Sequence, residues 1–160
     1  GKGVLVLSAG GSTFGGGTII SNGVISAEAT NCLGGGNVDV KEGAMLQVSA
    51  GVALGNSVNL DSGATLDITA AEPSSSIVGE LSAAAGAKVN VCGVIDENVL
   101  LDGVNMTVAS KCDADTFRNL VLSADFSTSS GKPLRYAQFY VVNDALHLII
   151  SRPGMSIIVR

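Results

Sequence analysis

Two glutamates come closest to a catalytic arrangement in this sequence. Glu80 lies six residues before Gly86, and Glu97 lies six residues before Gly103. If the two glycines occupy equivalent places in successive structural repeats, the two carboxyl groups lie side by side. Pairs of carboxylates cleave glycosidic bonds in polysaccharide-degrading enzymes. The pair is therefore a weak candidate carbohydrate site, and two solvated loop acids are the simpler interpretation.

Other residue types that do chemistry lack the partners that they need. Asp113 and Asp115 offer two carboxylates to a calcium ion, which requires more oxygen ligands than these. His147 is the single histidine, so a site built on several histidines is excluded and no catalytic triad is indicated by motif. The glycine run 34–36 lacks the lysine of a phosphate-binding loop. We therefore predict a protein that is not an enzyme, with no catalytic residue, no metal site and no cofactor.

A repeated pattern of apolar residues and glycines determines which elements hold these side chains. Apolar residues stand five and three positions before Gly43, and again three and five positions after it. The same four positions are apolar around Gly63. Alternation on both sides of a glycine is typical of two short strands, each with one buried face, that meet at a corner. The two sets are Val38, Val40, Leu46, Val48 and Val58, Leu60, Leu66, Ile68.

The corner glycines recur with a period of about 20 residues, which is typical of solenoids. Glycines at 3, 23, 43 and 63 are evenly spaced, and Gly86 and Gly103 follow after one longer and one shorter interval. We predict an all-β, right-handed parallel β-helix of about seven turns. Phe14 is expected to point inward, with an exposed binding aromatic as the alternative. The other predicted inward residues are Leu5, Leu7, Ile25, Val38, Val40, Leu46, Val48, Val58, Leu60, Leu66, Ile68, Val89, Val91, Met106 and Val108.

The same alignment predicts columns of outward side chains. One column lies four residues after each corner glycine and another lies four residues before it. Neither column contains two adjacent carboxylates, which argues against a catalytic ladder. Lys41 over Asp61 forms an exposed ion pair of little energetic weight. The predicted columns are Gln47, Asp67, Asn90, Thr107 and Asp39, Asn59, Ser82, Val99.

The composition changes near residue 113, so we divide the chain into parallel rungs at 1–112 and a C-terminal antiparallel cap at 113–160. Large aromatic residues concentrate in the second part. Asn143-Asp144 separates two apolar runs, 136–142 and 145–151, and predicts a hairpin. One helical turn is expected around Asp113–Arg118. Residues 152–154 predict a second turn before a final strand at 155–159, and the cap covers the last rung.

Charge and hydrophobicity exclude two classes of protein. The net charge is −5 and the pI is about 4.6, which argues against a nucleic-acid-binding protein. No run of 18 apolar residues occurs, so a membrane-spanning helix is not expected.

The chain opens at Gly1-Lys2-Gly3 inside a repeat, and we expect it to be a fragment of a longer protein.

Short motifs in residues 3–46 point to a known family. They are GVLVL at 3–7, STFGGGT at 12–18, NGVI at 22–25, NCLG at 31–34, VDV at 38–40 and GAML at 43–46. Their order resembles the autotransporter-associated β-strand repeat of bacterial surface proteins, over one full repeat and the start of a second. Ser12 and Cys32 depart from the usual Asn and Ala. The resemblance implies a β-helix passenger, secreted or displayed on the outer membrane of a Gram-negative-type bacterium.

The three cysteines allow one bridge at most within the chain. Cys92 and Cys112 are separated in the sequence by the length of one regular turn, so their Cα atoms are expected about 5 Å apart. An extracellular location permits a disulfide to persist. We therefore consider a Cys92–Cys112 disulfide with Cys32 free, and three free thiols are the alternative.

Two functions remain open from the sequence. The first is a non-catalytic passenger stalk or adhesion scaffold, whose partners would be host or matrix glycans or proteins and the adjoining rungs of the parent chain. The second is a carbohydrate-binding or carbohydrate-active module attached to an extracellular enzyme. Because β-helices serve both roles, the fold by itself does not choose between them.

Overall fold

The computed structural model describes residues 3–70, 77–101 and 103–151. Within them the chain is built mainly from strands, with a 3₁₀-helix at Val99–Leu101 and an α-helix, α1, at Ala114–Asn119. The strands are β1 Val4–Leu7, β2 Thr18–Ile20, β3 Val24–Ala27, β4 Val38–Val40, β5 Met45–Val48, β6 Val58–Leu60, β7 Thr65–Ala70, β8 Val78–Ala83, β9 Ala87–Ile95, β10 Val104–Lys111, β11 Leu120–Thr128, β12 Pro133–Leu134, β13 Ala137–Val142 and β14 Ala145–Ile150.

Successive strands alternate between two sheets until β11. The β1 sheet has the order β1-β3-β5-β7-β9-β11-β12, and the β2 sheet has the order β2-β4-β6-β8-β10-β14-β13. All pairs from β1 to β11 in the first sheet, and from β2 to β10 in the second, are parallel. The predicted all-β solenoid of stacked parallel coils is therefore confirmed.

The strand register gives the length of each turn. Val4 pairs with Val24, Val24 with Met45, Met45 with Thr65, and Thr65 with Lys88. Each pair stands one turn apart, and the first three turns are nearly equal in length while the fourth is slightly longer. The predicted period is confirmed over about four turns, including the longer turn after Gly63.

Each regular turn bends at a glycine, as the sequence predicted. Gly43 and Gly63 both have φ 74°, a conformation that favours glycine. The residue after each glycine is a buried alanine, Ala44 or Ala64, whose N–H donates to the carbonyl oxygen of Lys41 or Asp61. A tight turn therefore joins a strand of the β2 sheet to a strand of the β1 sheet.

The core lies between the two sheets and consists of stacked columns of like residues. Leu46, Leu66 and Val89 are neighbours in register and are fully buried. Burying each such side chain contributes about 1.5–3 kcal/mol. Leu5 begins the inward column that continues through Ile25 and Leu46, as predicted, but it is 56% exposed, and Leu7 and Ile25 are only half-buried. These residues lie in the first two turns, where less of the chain covers them.

The expectation that Phe14 points inward is wrong, because its side chain is 47% exposed. The segment 8–17 contains no strand, so no sheet directs the ring to the core. The ring lies over Gly34, where an added Cβ would collide with it, and the N–H of Gly35 donates to the carbonyl oxygen of Phe14 at 3.0 Å. Its exposure agrees with the alternative expectation for Phe14, an exposed aromatic side chain.

The last parallel turn is much longer than the others. Lys88 pairs with Val121, and Val78 pairs with Ala109, so this turn is more than half as long again as a regular one in both sheets. The 3₁₀-helix and α1 account for part of the added length, and α1 lies at the predicted helical turn. The β1 sheet contains six parallel strands and the β2 sheet five. The prediction of about seven turns was therefore too high.

Gly103 does not repeat the role of Gly86, although both have positive φ. The strand after Gly86 is β9, which lies beside β7 in the β1 sheet, whereas the strand after Gly103 is β10, which lies beside β8 in the β2 sheet. Met106 and Val108 are buried as predicted, but they face the core from the opposite sheet. The alignment of these two glycines was wrong.

Antiparallel strands follow the parallel stack, as predicted. The β13–β14 hairpin turns at Asn143 and Asp144, which have φ 50° and 57°, and β14 pairs with β10. Leu146, Leu148 and Ile150 of β14 are fully buried. Because β11 is still parallel to β9, the predicted boundary between 112 and 113 falls inside the last turn. The turn predicted at 152–154 and the strand at 155–159 lie outside the described residues.

Candidate functional site

The structure does not bring the two candidate glutamates together as a pair on adjacent turns. Glu80 lies in β8 of the β2 sheet, opposite Lys111, and its Oε1 is 2.8 Å from Lys111 Nζ. Glu97 follows β9, which belongs to the β1 sheet. The predicted pair depended on aligning Gly86 with Gly103, and that alignment was wrong.

Each glutamate takes part in a local interaction. Glu80 raises the pKa of the Lys111 ammonium above its usual value, first through their hydrogen bond and then through its charge. Glu97 accepts a hydrogen bond from the hydroxyl of Ser130, and Ser130 Oγ lies 2.9 Å from Thr128 Oγ1. The Thr128 hydroxyl oxygen also accepts from the N–H of Lys132 at 3.1 Å. These contacts hold the turn that leads from β11 to β12.

Asp113 and Asp115 are both engaged around the short helix α1. Asp113 Oδ1 accepts from the N–H of Thr116 at 2.7 Å and so caps the helix N-terminus. This hydrogen bonding lowers the pKa of Asp113 below its ordinary value. Asp115 Oδ1 forms an ion pair with Arg118 Nη1 at 2.5 Å. In the part of the chain that the structure describes, no group of three His, Cys, Asp or Glu residues is placed to hold a metal ion.

Polar side chains form a continuous column on the outer face of the β1 sheet. Gln47 Nε2 lies 3.4 Å from Asp67 Oδ2, and Ser123 Oγ donates to Asn90 Oδ1 at 2.7 Å. Asn90 lies next to Asp67 in register. The predicted sequence of this column is confirmed through Asn90, but its next member is Ser123 and not Thr107. The full column is Ser26, Gln47, Asp67, Asn90 and Ser123.

A second polar column lies on the outer face of the β2 sheet, and we call it the Asp39 ladder, consisting of Asp39, Asn59 and Ser82. Asn59 Nδ2 donates to Asp39 Oδ1 at 2.7 Å, and Ser82 Oγ donates to Asn59 Oδ1 at 2.5 Å. Val99, predicted as its fourth member, lies in the 3₁₀-helix instead. The predicted ion pair between Lys41 and Asp61 is present, with 3.4 Å between Nζ and Oδ2.

Three side chains form a row across β10, β14 and β13, which we call the His147 row. His147 stacks on Tyr140 with 5.2 Å between ring centroids and 18° between ring planes. His147 Nδ1 lies 3.3 Å from Thr107 Oγ1. His147 alternates with the buried Leu146 and Leu148, but this local pattern does not indicate Thr107 and Tyr140 as its neighbours. These contacts depend on the pairing of β14 with β10, which local alternation does not specify.

The predicted disulfide between Cys92 and Cys112 is absent, and Cys32, Cys92 and Cys112 are all free thiols. Cys92 lies in β9 of the β1 sheet, beside Thr69 and Asp125 in register. Cys112 follows β10 of the β2 sheet, and burial raises the pKa of its thiol to about 11, with a further contribution from Asp113. The sequence separation of the two cysteines falls well short of the enlarged last turn, so the two residues are not stacked.

Two shallow clefts lie on the first turns. One has a volume of about 400 Å³ and is lined by the glycine run 15–17 together with Gly36 and Asp39. The other has a volume of about 580 Å³ and lies between β1, β2 and β3.

Among the described residues, no helix is long and apolar enough to cross a membrane.

Comparison with known proteins adds no relative. No protein-family model, no curated protein and no solved structure matches this chain. The fold defines its class as a parallel β-solenoid closed by antiparallel strands.

Proposed function

We propose that this chain is a non-catalytic β-solenoid segment of a secreted or surface-displayed bacterial protein, where it acts as a passenger stalk or adhesion scaffold. The observation that carries the proposal is the in-register stacking of the turns. The register keeps like residues above one another from turn to turn, inside the core and on both outer faces. Such a stack presents surface residues at a repeat of about 4.8 Å on a stiff support.

The two outer columns support this role. In the Asp39 ladder the outward polar groups bind one another from turn to turn. Hydrogen bonds between turns fix the lateral position of each coil against the next, which a stalk requires. The motif resemblance in residues 3–46 supports display on a Gram-negative-type surface, with host or matrix glycans or proteins as partners.

Localisation tests this proposal directly. Antibodies raised against this chain should label intact cells that express the parent gene, and added protease should remove the label. An antibody against a cytoplasmic protein serves as the control and should label only permeabilised cells. Labelling by both antibodies only after permeabilisation would reject surface display.

A length variant tests the scaffold role. Duplicating residues 44–63 should add one complete turn, because Met45 and Thr65 occupy the same column. The longer chain should keep its strand content and its display on the cell surface, since a stalk tolerates a change in length. A soluble, folded variant that loses adhesion of the parent protein while display is unchanged would indicate a defined site instead.

Carbohydrate binding is the second candidate function, and the His147 row supports it. Two stacked rings and a hydroxyl on one sheet face offer the combination of ring surface and hydrogen-bonding groups that sugars bind. A glycan array should then show binding that Tyr140→Ala weakens and Tyr140→Phe retains. A reducing-sugar assay with Glu80→Gln and Glu97→Gln separates binding from catalysis, because cleavage that either substitution abolishes would establish an enzyme.

A further inference from the structure

One asparagine side chain on the solenoid binds the backbone of the glycine that follows it. Asn22-Gly23 is the single Asn-Gly pair in the sequence, and it forms the corner between β2 and β3. The N–H of Gly23 donates to Asn22 Oδ1 at 2.8 Å. Asn22 is exposed, and Gly23 has the positive φ of the other corner glycines, 79°. The hydrogen bond therefore holds the Gly23 nitrogen against a side-chain amide that solvent reaches.

The equivalent side chains at the next two corners point elsewhere. Glu42 Cγ would lie 3.5 Å from a Cβ placed on Gly63, which is the corner glycine one turn further on. Ser62 Oγ would lie 3.6 Å from a Cβ placed on the corner glycine after that. A Cβ placed on Gly43 meets no atom within 4 Å, so the Asn22 side chain does not reach across to the next turn. It is turned back onto its own backbone instead.

We infer that Asn22 is a site of spontaneous deamidation, in which the backbone displaces ammonia from the side chain. The Gly23 nitrogen gives its proton to water and bonds to Cγ of Asn22, while the bond between Cγ and Nδ2 breaks and Nδ2 leaves as ammonia. The product is a closed succinimide ring. Water then opens the ring at either of its carbonyl carbons. One opening gives aspartate, and the other gives isoaspartate, in which the main chain runs through Cγ.

The corner favours closure of the ring for two reasons. Gly23 has no side chain, so nothing on the attacking residue shields its nitrogen. The hydrogen bond already brings the reacting groups of Asn22 and Gly23 together, and well-oriented groups within one molecule react much faster than separate ones. The exposed Asn105 has neither advantage. Met106 follows it within β10, where the backbone is extended and pairs with β14.

The two products should differ in their effect on the solenoid. Aspartate keeps an oxygen acceptor for the N–H of Gly23, so it should preserve the corner while adding a negative charge. Isoaspartate lengthens the backbone between β2 and β3 by one methylene group. Hydrogen bonds to both neighbouring turns flank this corner: the N–H of Val24 donates to the carbonyl oxygen of Gly3 at 3.1 Å, and the N–H of Met45 donates to that of Gly23 at 3.0 Å. Isoaspartate should weaken both. This inference does not depend on the proposed function.

Peptide mapping by mass spectrometry of the folded chain, kept in mildly alkaline buffer, tests the inference. Samples taken over time should accumulate aspartate and isoaspartate at position 22. The rate at Asn22 should exceed the rate at Asn105 at least about tenfold, because only Asn22 has its attacking nitrogen in place. The rate should rise with pH, since the nitrogen reacts without its proton. Asn22→Ser is the matched variant, because it copies the Ser62-Gly63 corner of the same solenoid.

On isoelectric focusing the wild type should gain a more acidic species with time, and Asn22→Ser should not. Hydrogen exchange at the amides of Val24 and Met45 should be faster in the isolated isoaspartate form, whereas Asn22→Asp should exchange like the unmodified chain. A synthetic peptide of residues 19–26 gives the rate without the fold. A folded chain that stays unmodified while this peptide deamidates completely overturns the inference, because the corner then protects Asn22. Equal rates at Asn22 and Asn105 overturn it as well.

Discussion

Asn59 donates a hydrogen bond from Nδ2 to Oδ1 of Asp39 at 2.7 Å, although the two residues lie one full turn apart in the sequence. They are partners in register in β6 and β4, and Ser82 extends the contact to β8. One turn of the coil thus places each outward residue directly beside its equivalent. Every column of equivalent residues therefore faces either the core or the solvent. Substitutions in two neighbouring columns should differ in their effect on stability for this reason.

The first prediction compares two adjacent residues of β7. Leu66 is fully buried, whereas Asp67 is outward and makes one long hydrogen bond with Gln47. Leu66→Asp should lower the free energy of unfolding by about 4 kcal/mol or more, because it removes core packing and buries a charge without a partner. Asp67→Lys should change it by less than about 1 kcal/mol. Urea denaturation measures both, and similar losses in the two variants would contradict the assignment of faces.

The sequence predicts the first four turns well because each turn repeats the same local pattern. Leu46, Leu66 and Val89 were placed in one column by their distance from a corner glycine, and the strand register confirms it. The prediction fails at Gly103, where the following strand β10 lies in the other sheet. The residues that follow Gly86 and Gly103 alternate in the same way, and alternation does not tell which of two sheets a strand joins.

The candidate site was predicted less well for the same reason. Glu80 and Glu97 were paired through the wrong glycine alignment, and the contact of Glu80 with Lys111 spans the enlarged last turn. The His147 row was missed because the contact between His147 and Thr107 joins distant parts of the sequence across antiparallel strands. The inward expectation for Phe14 failed because its segment contains no strand that would direct the ring to the core.

The second prediction concerns a buried asparagine that binds the backbone of a neighbouring turn. Asn56 is 5% exposed, and its Nδ2 donates to the carbonyl oxygens of Gly34 at 2.9 Å and Gly36 at 2.7 Å. Asn56→Ala leaves both carbonyl groups without this donor and should cost about 2–4 kcal/mol of unfolding free energy. The exposed Asn105 provides the control, and Asn105→Ala should cost less than about 0.5 kcal/mol. Chemical denaturation that ranks the two variants equally would reject a structural role for the Asn56 amide.

The third prediction uses two adjacent glycines in the same loop. A Cβ at Gly36 would collide with the backbone of Gly17, whereas a Cβ at Gly35 meets no atom within 4 Å. Gly36→Ala should therefore destabilise the protein by about 1–3 kcal/mol. Gly35→Ala should be neutral or slightly stabilising, because alanine restricts the unfolded chain. Thermal unfolding of the two variants checks this, and the reverse order would show that the two turns are less closely packed here.

The fourth prediction follows from the pKa of Cys112. Burial raises the pKa of this thiol from 9.0 to about 11, so the unfolded chain loses the proton at a lower pH than the folded chain. The contribution to stability is complete below about pH 9 and is lost as the pH rises towards 11. Between these values wild type should lose up to about 1.4 kcal/mol per pH unit relative to Cys112→Ala. Parallel stability curves for the two proteins would show that the folded thiol ionises normally.

The last prediction concerns the state and the reactivity of all three cysteines. Thiol titration of the denatured, unreduced protein should count three free thiols per chain, because Cys92 and Cys112 lie on different sheets. In the native protein Cys92 should react first, since it is half-buried while Cys32 and Cys112 are 2% and 1% exposed. The raised pKa of Cys112 slows its reaction further, because the thiolate is the reactive form. Cys92→Ser should remove the fast phase and leave the slow phases unchanged. A single free thiol, together with a linked peptide containing Cys92 and Cys112, would show that the last turn places these residues one above the other.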